Sequence, residues 1–438
     1  MSASDRASTS PWPVWQRVLF RFFFVYLLLQ IAPLNWLGRI PGLNLLTTWY
    51  YVAVDWAVRA GNAALFHVRD PLVPVNGSGD TSWGWAQLWL YLSLAAVSCI
   101  IWSVLDRSRP NYDRLAYWLR TIVRYYIATF ALSYGIIKIF ALQMYFPTLS
   151  QLATPLGDFL PMRFSWLFIG YSTKYQVFSG IMETVAGLLL LFRRTVTLGL
   201  FAATGAFINV VMINMSYDVP VKLFASHLLF ACVFLLVLDA KRLMTFLVFN
   251  RAAPATNAYE PPFTQPWQHV ARLVAKGTLV VLILILPFKD SYGRWQALRH
   301  EPPAEPFRVG VYDVQHYVVN GDTIPPLVAD SLRWRDVIFD NVSGGSVGTA
   351  DTVFWQRYRR GYFRFKADTT RRTVAVWKTN TAFDSTYLFD MRYELADTTG
   401  IRLWTKIRAD SIFVDLRRTN RHFQLAERQF HWLSEYNR

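Results

Sequence analysis

Two cysteines, Cys99 and Cys232, are all that 438 residues contain, and both sit inside apolar stretches with no Cys-x-x-Cys anywhere. That excludes a disulfide framework and a thiol relay, because a cysteine in such a setting packs as a small hydrophobe. Charge is also scarce, at 17% of residues, and acidic side chains are fewer than basic ones, 29 against 45. His67, His269, His300, His316, His422 and His431 show no metal-ligand spacing, and only His227 falls inside an apolar stretch. Zinc and bis-His haem are therefore excluded, and no metal is expected. There is no P-loop, no Gly-x-Gly-x-x-Gly opening a helix and no Gly-x-Ser-x-Gly; Gly344-Gly-Ser-Val-Gly348 reads as a loop.

What the chain has instead is length and apolarity, with 53% hydrophobic residues. Runs such as Leu279 to Phe288, or Gly187 to Phe192 continued by Thr195 to Val211, are too long for an ordinary soluble core. A bilayer-crossing helix needs about 20 apolar residues. Spans are predicted at 18–37, 84–105, 118–142, 166–192, 196–215, 222–239 and 271–288, seven in all, with Pro110, Pro147, Pro161, Pro220 and Pro287 near their ends. Arg17-Val-Leu-Phe-Arg21 leads into the first, which reads as a retained signal anchor. Residues 44–66 are apolar but carry Asp55, Arg59 and Asn62, and suit a helix lying in the interface.

The net charge of +16 divides unevenly. Residues 1–288 hold 22 Lys and Arg against 11 Asp and Glu, and the remainder holds 23 against 18. The excess belongs to the helical part, where it marks cytoplasmic loops and calls for no nucleic acid. With the N-terminus inside, the cytoplasmic stretches carry 14 basic residues, among them Arg107, Arg109, Arg120, Arg124, Arg193 and Arg194. The outer stretches carry five: Arg39, Arg59, Arg69, Arg163 and Lys222. Seven spans then place the C-terminus on the extracytoplasmic side of a plasma (inner) membrane. Ala252 to Pro266 reads as a cytoplasmic loop, and His300-Glu-Pro-Pro-Ala-Glu-Pro306 as a domain junction.

From Phe307 onward, long runs give way to alternation, as in Tyr362-Phe-Arg-Phe-Lys366 and Thr373-Val-Ala-Val-Trp377. Ala-Asp followed by Ser or Thr recurs at Ala329, Ala350, Ala367, Ala396 and Ala409, a turn-initiating pair because Asp bonds its own backbone two residues on. Lys366 to Thr370 and Leu395 to Thr399 read as equivalent hairpin corners, each followed by a Trp-bearing strand (Trp377, Trp404). Eight to ten short antiparallel strands suggest a barrel or sandwich, filled by its own aromatics or holding one apolar ligand. Phe430 to Tyr436 reads as a last strand or a plug.

Polar side chains inside apolar spans are costly and mark candidate sites. Lys138, Glu183 and His227 are the candidate proton-handling residues, and Tyr134, Asn209, Asn214, Asp218 and Lys222 the candidate ligand contacts. Following each helix in its inferred direction gathers Lys138, Asn214, Asp218, Lys222 and His227 near the outer leaflet, with Glu183 and Asn209 deeper. One reading is a pocket in which His227 or Lys138 exchanges protons with a lipophilic ligand. The other is interhelical glue: asparagine contacts, a Lys138–Glu183 pair and a snorkelling Lys222.

Gly135-Ile-Ile-Lys138, Gly180-Ile-Met-Glu-Thr-Val-Ala-Gly187 running to Arg194, and Thr197-Leu-Gly199 resemble the DoxX-like family of small membrane proteins over about residues 118–240. The resemblance implies a four-helix unit, membrane-linked redox chemistry with a quinone in some members, and Lys138 and Glu183 as the matching polar positions. The flanking helices and the large β domain depart from that pattern. The expected architecture is an α-helical multi-pass bundle over 1–290, a linker over 291–306 and an all-β antiparallel domain over 307–438. Its expected partners are the bilayer, a lipophilic small molecule, a quinone among them, and an envelope protein; non-enzymatic assembly through the β domain is the alternative.

Overall fold

The computed structural model describes residues 11–253, 264–300, 306–326, 333–379, 385–428 and 432–433. Most of the Ala252 to Pro266 loop, residues 301–305 of the junction, the Ala329 turn and most of Phe430 to Tyr436 lie outside the described residues. Two compact units divide the chain: Met1–Gln143 with Lys174–Trp295, and Met144–Thr173 with Gln296–Arg438.

The first unit is helical: α1 (Val14–Ile31), α2 (Asn44–Gly61), α3 (Ser82–Leu105) and α4 (Asp113–Ile139). Later in the chain come α7 (Thr173–Leu191), α8 (Val196–Ser216), α9 (Lys222–Val237), α10 (Ala240–Leu247), α11 (Pro266–Val280) and α12 (Leu286–Arg299), while α5 (Leu149–Leu152) and α6 (Pro161–Tyr171) belong to the second unit. The core of α1, α3, α4, α7, α8 and α9 is made of Leu27, Tyr91, Val123, Ile127, Leu132, Leu190, Phe207 and Leu228. Small residues let the helices approach; Ala95, Ala128, Ala131, Ala186 and Ala203 are all buried at the contacts. Outward faces are as apolar as the core, with Ile100, Val104, Leu198 and Leu273 more than half exposed. Such an inversion suits a lipid surround.

Among the described residues five helices are long and apolar enough to cross a membrane: Val14–Gly38, Ser82–Leu105, Asp113–Ile139, Arg193–Ser216 and Pro266–Arg299, with α9 and α10, bent by 76°, a sixth if they count as one span. The single span expected at 166–192 is corrected. Ser172 is extended (φ −104°, ψ 92°) and separates α6 from α7. α7, which carries Lys174, Gln176 and Glu183 among its apolar residues, is not one of these helices.

Local signals explain several helix starts. Thr81 accepts from the Gly84 amide to open α3, and Pro161 and Pro266 occupy first-turn positions of α6 and α11. The amides of Lys222 and Leu223, at the start of α9, donate to Asp80 across 142 and 143 residues of chain at 2.8 and 2.9 Å. On α2, Asp55 accepts from Trp83 Nε1 and Arg59, both at 2.8 Å, and Val58 packs on Leu72 and Ala86.

The second unit is a closed barrel. Its strands are β1 (Gly310–Val319), β2 (Asp322–Thr323), β3 (Asp336–Phe339), β4 (Gly344–Val347), β5 (Trp355–Arg357), β6 (Arg360–Asp368), β7 (Thr373–Thr379), β8 (Ser385–Leu395), β9 (Gly400–Ile407) and β10 (Asp410–Thr419). Eight of them run β10-β9-β8-β7-β6-β4-β3-β1, all antiparallel, and β1 pairs with β10 to remove both edges (Val311 opposite Thr419, Val319 opposite Ile412). β2 and β5 fold back on β1 and β6 through two-residue turns at Asn320-Gly321 and Tyr358-Arg359, all four residues at positive φ. The corners form as the Asp pattern predicts: Asp368 Oδ1 accepts from the Thr370 and Arg371 amides, and Asp397 Oδ1 from those of Thr399 and Gly400. Eight strands leave an interior just wide enough for side chains. Phe307, Phe339, Phe354, Phe363, Phe365 and Trp334 fill it, with ring centroids 4.7–6.2 Å apart.

Candidate functional site

The cross-helix geometry of α4 and α7 follows from three glycines. A methyl group on Gly180 would lie 2.6 Å from the Gly135 carbonyl oxygen and 2.7 Å from the Ile139 amide, and one on Gly187 would lie 2.7 Å from Leu132 Cγ. The two backbones therefore touch, and the contact sets Lys138 against Glu183. Lys138 Nζ bonds Glu183 Oε1, with the residues 7% and 2% exposed. Glu183 Oε2 is buried without a hydrogen-bond partner. The glycines, Lys138 and Glu183 are the residues quoted for the family resemblance, and they form one packing unit.

Of the remaining sequence candidates, Tyr134 stands within electrostatic reach of Glu183. His227 Nδ1 lies 2.6 Å from the Leu223 carbonyl, which can only accept, so in the neutral ring Nε2 receives the Tyr26 hydroxyl. Both ring nitrogens are occupied. Tyr134 packs its ring with Phe130 and Phe224. Asn214 is buried with Nδ2 3.5 Å from the Val221 carbonyl. Lys222 pairs with Asp218 at 2.6 Å on the surface and lies 3.8 Å from Asp80. The expectation that Asn209 reaches into the bundle is corrected: it is exposed. Five residues separate it from Asn214, roughly 140° around the helix, so one faces the bundle and the other faces out.

The helical unit also holds a cavity that no local pattern in the sequence marks. With a volume of about 890 Å³, it opens between the first turns of α4, the loop before α8, the end of α9, α10 and α11. Leu191, Leu200, Leu235, Leu236 and Leu279 form its apolar wall, and Trp118 and Trp267 stand at it. Six cations line it: Arg120, Arg124, Arg193, Arg242, Arg272 and Lys276. Two carboxylates, Asp113 and Asp239, oppose them, so the lining carries an excess of four positive charges. Asp239 is already engaged by Arg242 Nε at 2.8 Å. Arg124 lies over the Tyr125 ring at 4.7 Å, and Lys276 over Phe192 at 5.0 Å. The same arginines carried the orientation signal in the sequence, and that role concealed the cavity they share.

The second unit holds a polar knot outside the barrel core. Segment 144–173 begins with a capping box in which Thr148 and Gln151 satisfy each other's backbone. It then offers Ser150, fully buried, whose amide donates to Asp340 Oδ1 at 2.9 Å and whose hydroxyl meets Ser346 Oγ at 2.6 Å. Arg360 Nε donates to Ser346 Oγ at 2.8 Å, and the guanidinium pairs with Asp336. Further along, Asp158 pairs with Arg359 at 2.9 Å and Arg163 donates to the Tyr358 hydroxyl at 2.9 Å. Burial pushes the Asp340 carboxyl above the usual carboxylate range, against the hydrogen bonds from Ser150 and Thr148. Burial likewise lifts the Tyr362 phenol to about 12. These groups are spent on one another, and the knot is an anchor. Among the described residues no group of three or more His, Cys, Asp or Glu is placed to hold a metal ion.

No protein-family model matches the chain, and no solved structure matches it. It is 36% identical over 80 residues to the uncharacterized protein YwoB of Bacillus subtilis (strain 168), a stretch covering 18% of this chain and 52% of that protein. The chain thus spans about half the length of the curated relative it matches.

Proposed function

We propose that this chain is a multi-pass inner-membrane protein of DoxX-like type that binds a lipophilic ligand in its helical unit, with the N-terminus cytoplasmic and the barrel extracytoplasmic. The cavity of about 890 Å³ with its leucine wall is the observation that carries the reading; a drug-sized ligand fits a cleft of 300–1,000 Å³. On this reading α7 is the seventh crossing. Its 19 residues rise roughly 28 Å, close to the hydrocarbon thickness. Lys174 lies exposed at its start, where it can snorkel, and Glu183 is matched by Lys138.

In the redox form of the proposal the ligand is a quinone, and Lys138 and Glu183 serve the bundle that holds it. Mass spectrometry of lipids co-purifying in mild detergent, for the native chain beside Lys138→Met, tests this. A stoichiometric quinone supports the redox form, and bulk phospholipid alone in both samples removes it.

One observation favours the non-enzymatic alternative for the second unit. The barrel interior is filled by its own rings, which leaves the outer surface to do any recognition. A photo-crosslinking residue in place of Tyr387, half exposed on β8, would capture an envelope protein on that reading. Absence of any adduct in intact cells would count against it.

A further inference from the structure

The cavity's charge selects its ligand more sharply than its volume does, and the following rests on the reading that this cavity is the ligand site. Cations that serve only to hold a bundle together are saturated. Arg21, 4% exposed in the same unit, shows what that looks like. Its Nε and Nη2 donate to the Tyr112 hydroxyl at 2.9 and 2.8 Å, Nη1 to Ser103 Oγ at 2.9 Å, and Nη2 also to the Asp106 carbonyl at 2.9 Å. Two of the cavity arginines differ from it at one atom each. Arg120 and Arg124 stand one turn apart on α4, both line the cavity, and the Nε of each is buried without a hydrogen-bond partner. An arginine does not shed its proton, so a lining with four excess positive charges calls for an anion. Two guanidiniums on one face suit phosphate oxygens, which accept in pairs.

The leucine wall sets the other half of the ligand. A free anion gains nothing from Leu200, Leu235, Leu236 and Leu279, whereas an acyl chain laid along them stays out of water. A neutral quinone uses the wall and leaves the excess positive charge of the lining unbalanced. We infer that the cavity binds an anionic phospholipid, with its phosphate on Arg120 and Arg124 and its chain against the leucine wall.

The test uses the full-length protein in mild detergent and native mass spectrometry. The probes are dioleoylphosphatidylglycerol, dioleoylphosphatidylcholine, decylubiquinone and inorganic phosphate as competitor. The expected result is phosphatidylglycerol binding at least tenfold tighter than phosphatidylcholine, falling to the phosphatidylcholine level in Arg120→Gln/Arg124→Gln. Ala275→Trp, on an exposed stretch of α11 at the cavity lining, is the second variant. It keeps every cation and is expected to weaken phosphatidylglycerol at least tenfold, so the inference stands or falls even if the arginine variant does not fold. Equal binding of the two phospholipids overturns the inference, as does complete displacement by millimolar inorganic phosphate, which would mark a free-anion site. Decylubiquinone bound equally by the native chain and the arginine variant, with no phospholipid preference, would overturn it and leave the lipophilic-ligand reading intact. Failure of all three lipids to bind would end both.

Discussion

Replacing Lys138 with Met leaves the Glu183 carboxylate 2% exposed, beside an Oε2 that already lacks a partner. Removing one member of a buried pair costs about 3–5 kcal/mol, because the remaining group is left desolvated and alone. Glu183→Leu strands the ammonium and is expected to cost the same. The double variant Lys138→Met/Glu183→Leu removes both charges at similar volume and is expected near the native stability, since apolar replacement of a buried pair is often neutral or better. The double-mutant cycle therefore predicts a coupling of about 6–10 kcal/mol, the sum of the two single costs recovered in the double variant. Equilibrium unfolding by dodecyl sulfate in mixed micelles, followed by tryptophan fluorescence, reads it. If the double variant is no more stable than either single one, the pair is not what clamps α4 to α7 and the reasoning fails. Ligand retention separates the two roles. A double variant that is folded and still carries its lipid assigns the pair to architecture, and one that is folded but empty assigns it to the ligand.

Three further outcomes follow from the packing. Gly180→Ala forces a methyl against the Gly135 carbonyl and is expected to cost about 1–3 kcal/mol in the same unfolding assay, while Gly205→Ala, with nothing within 4 Å, is expected to be neutral or slightly stabilising. Trp334→Ala removes the barrel's largest fully buried side chain, 1% exposed, and should lower the unfolding free energy of that unit by about 3–5 kcal/mol. The Asp340 carboxyl titrates above its ordinary value when folded, so its contribution is complete at low pH and is lost as pH rises through that raised value. Hydrogen exchange of residues 144–173, corrected for intrinsic rate, should therefore quicken as pH rises from the ordinary carboxylate range toward neutrality, and Asp340→Asn should flatten the trend. A native profile already flat would show that the knot does not depend on that proton.

Local chemistry was legible and long-range partnership was not. The barrel strands alternate because one face is buried, and the Asp368 and Asp397 corners write themselves into sequence through hydrogen bonds two and three residues long. The Lys138–Glu183 pair was legible because two lone charges in apolar spans have few alternatives. Segment 144–173 carried no such signal. Its partners, Asp340 and Tyr358, lie 190 and 195 residues away from Ser150 and Arg163, and no periodicity records that. Asn209 was misplaced by following depth along α8 without its phase. The cavity was hidden because each arginine had an adequate local explanation as a cytoplasmic flank, and only the fold gathers Arg120, Arg124, Arg193 and Arg272 around one space.

The barrel's anchor also has a timetable. Ser150 is synthesised 190 residues before Asp340, and at roughly 5–20 residues per second that is an interval of roughly 10–40 s. Throughout it, Ser150, Asp158 and Arg163 have been made and translated past while the strands that receive them do not yet exist. The second unit cannot begin to assemble from its own N-terminal piece, and its birth is postponed until α7 to α12 have been made. Any nascent chain stalled before β3 carries the anchor without its socket, a tether looking for the half of its domain not yet made.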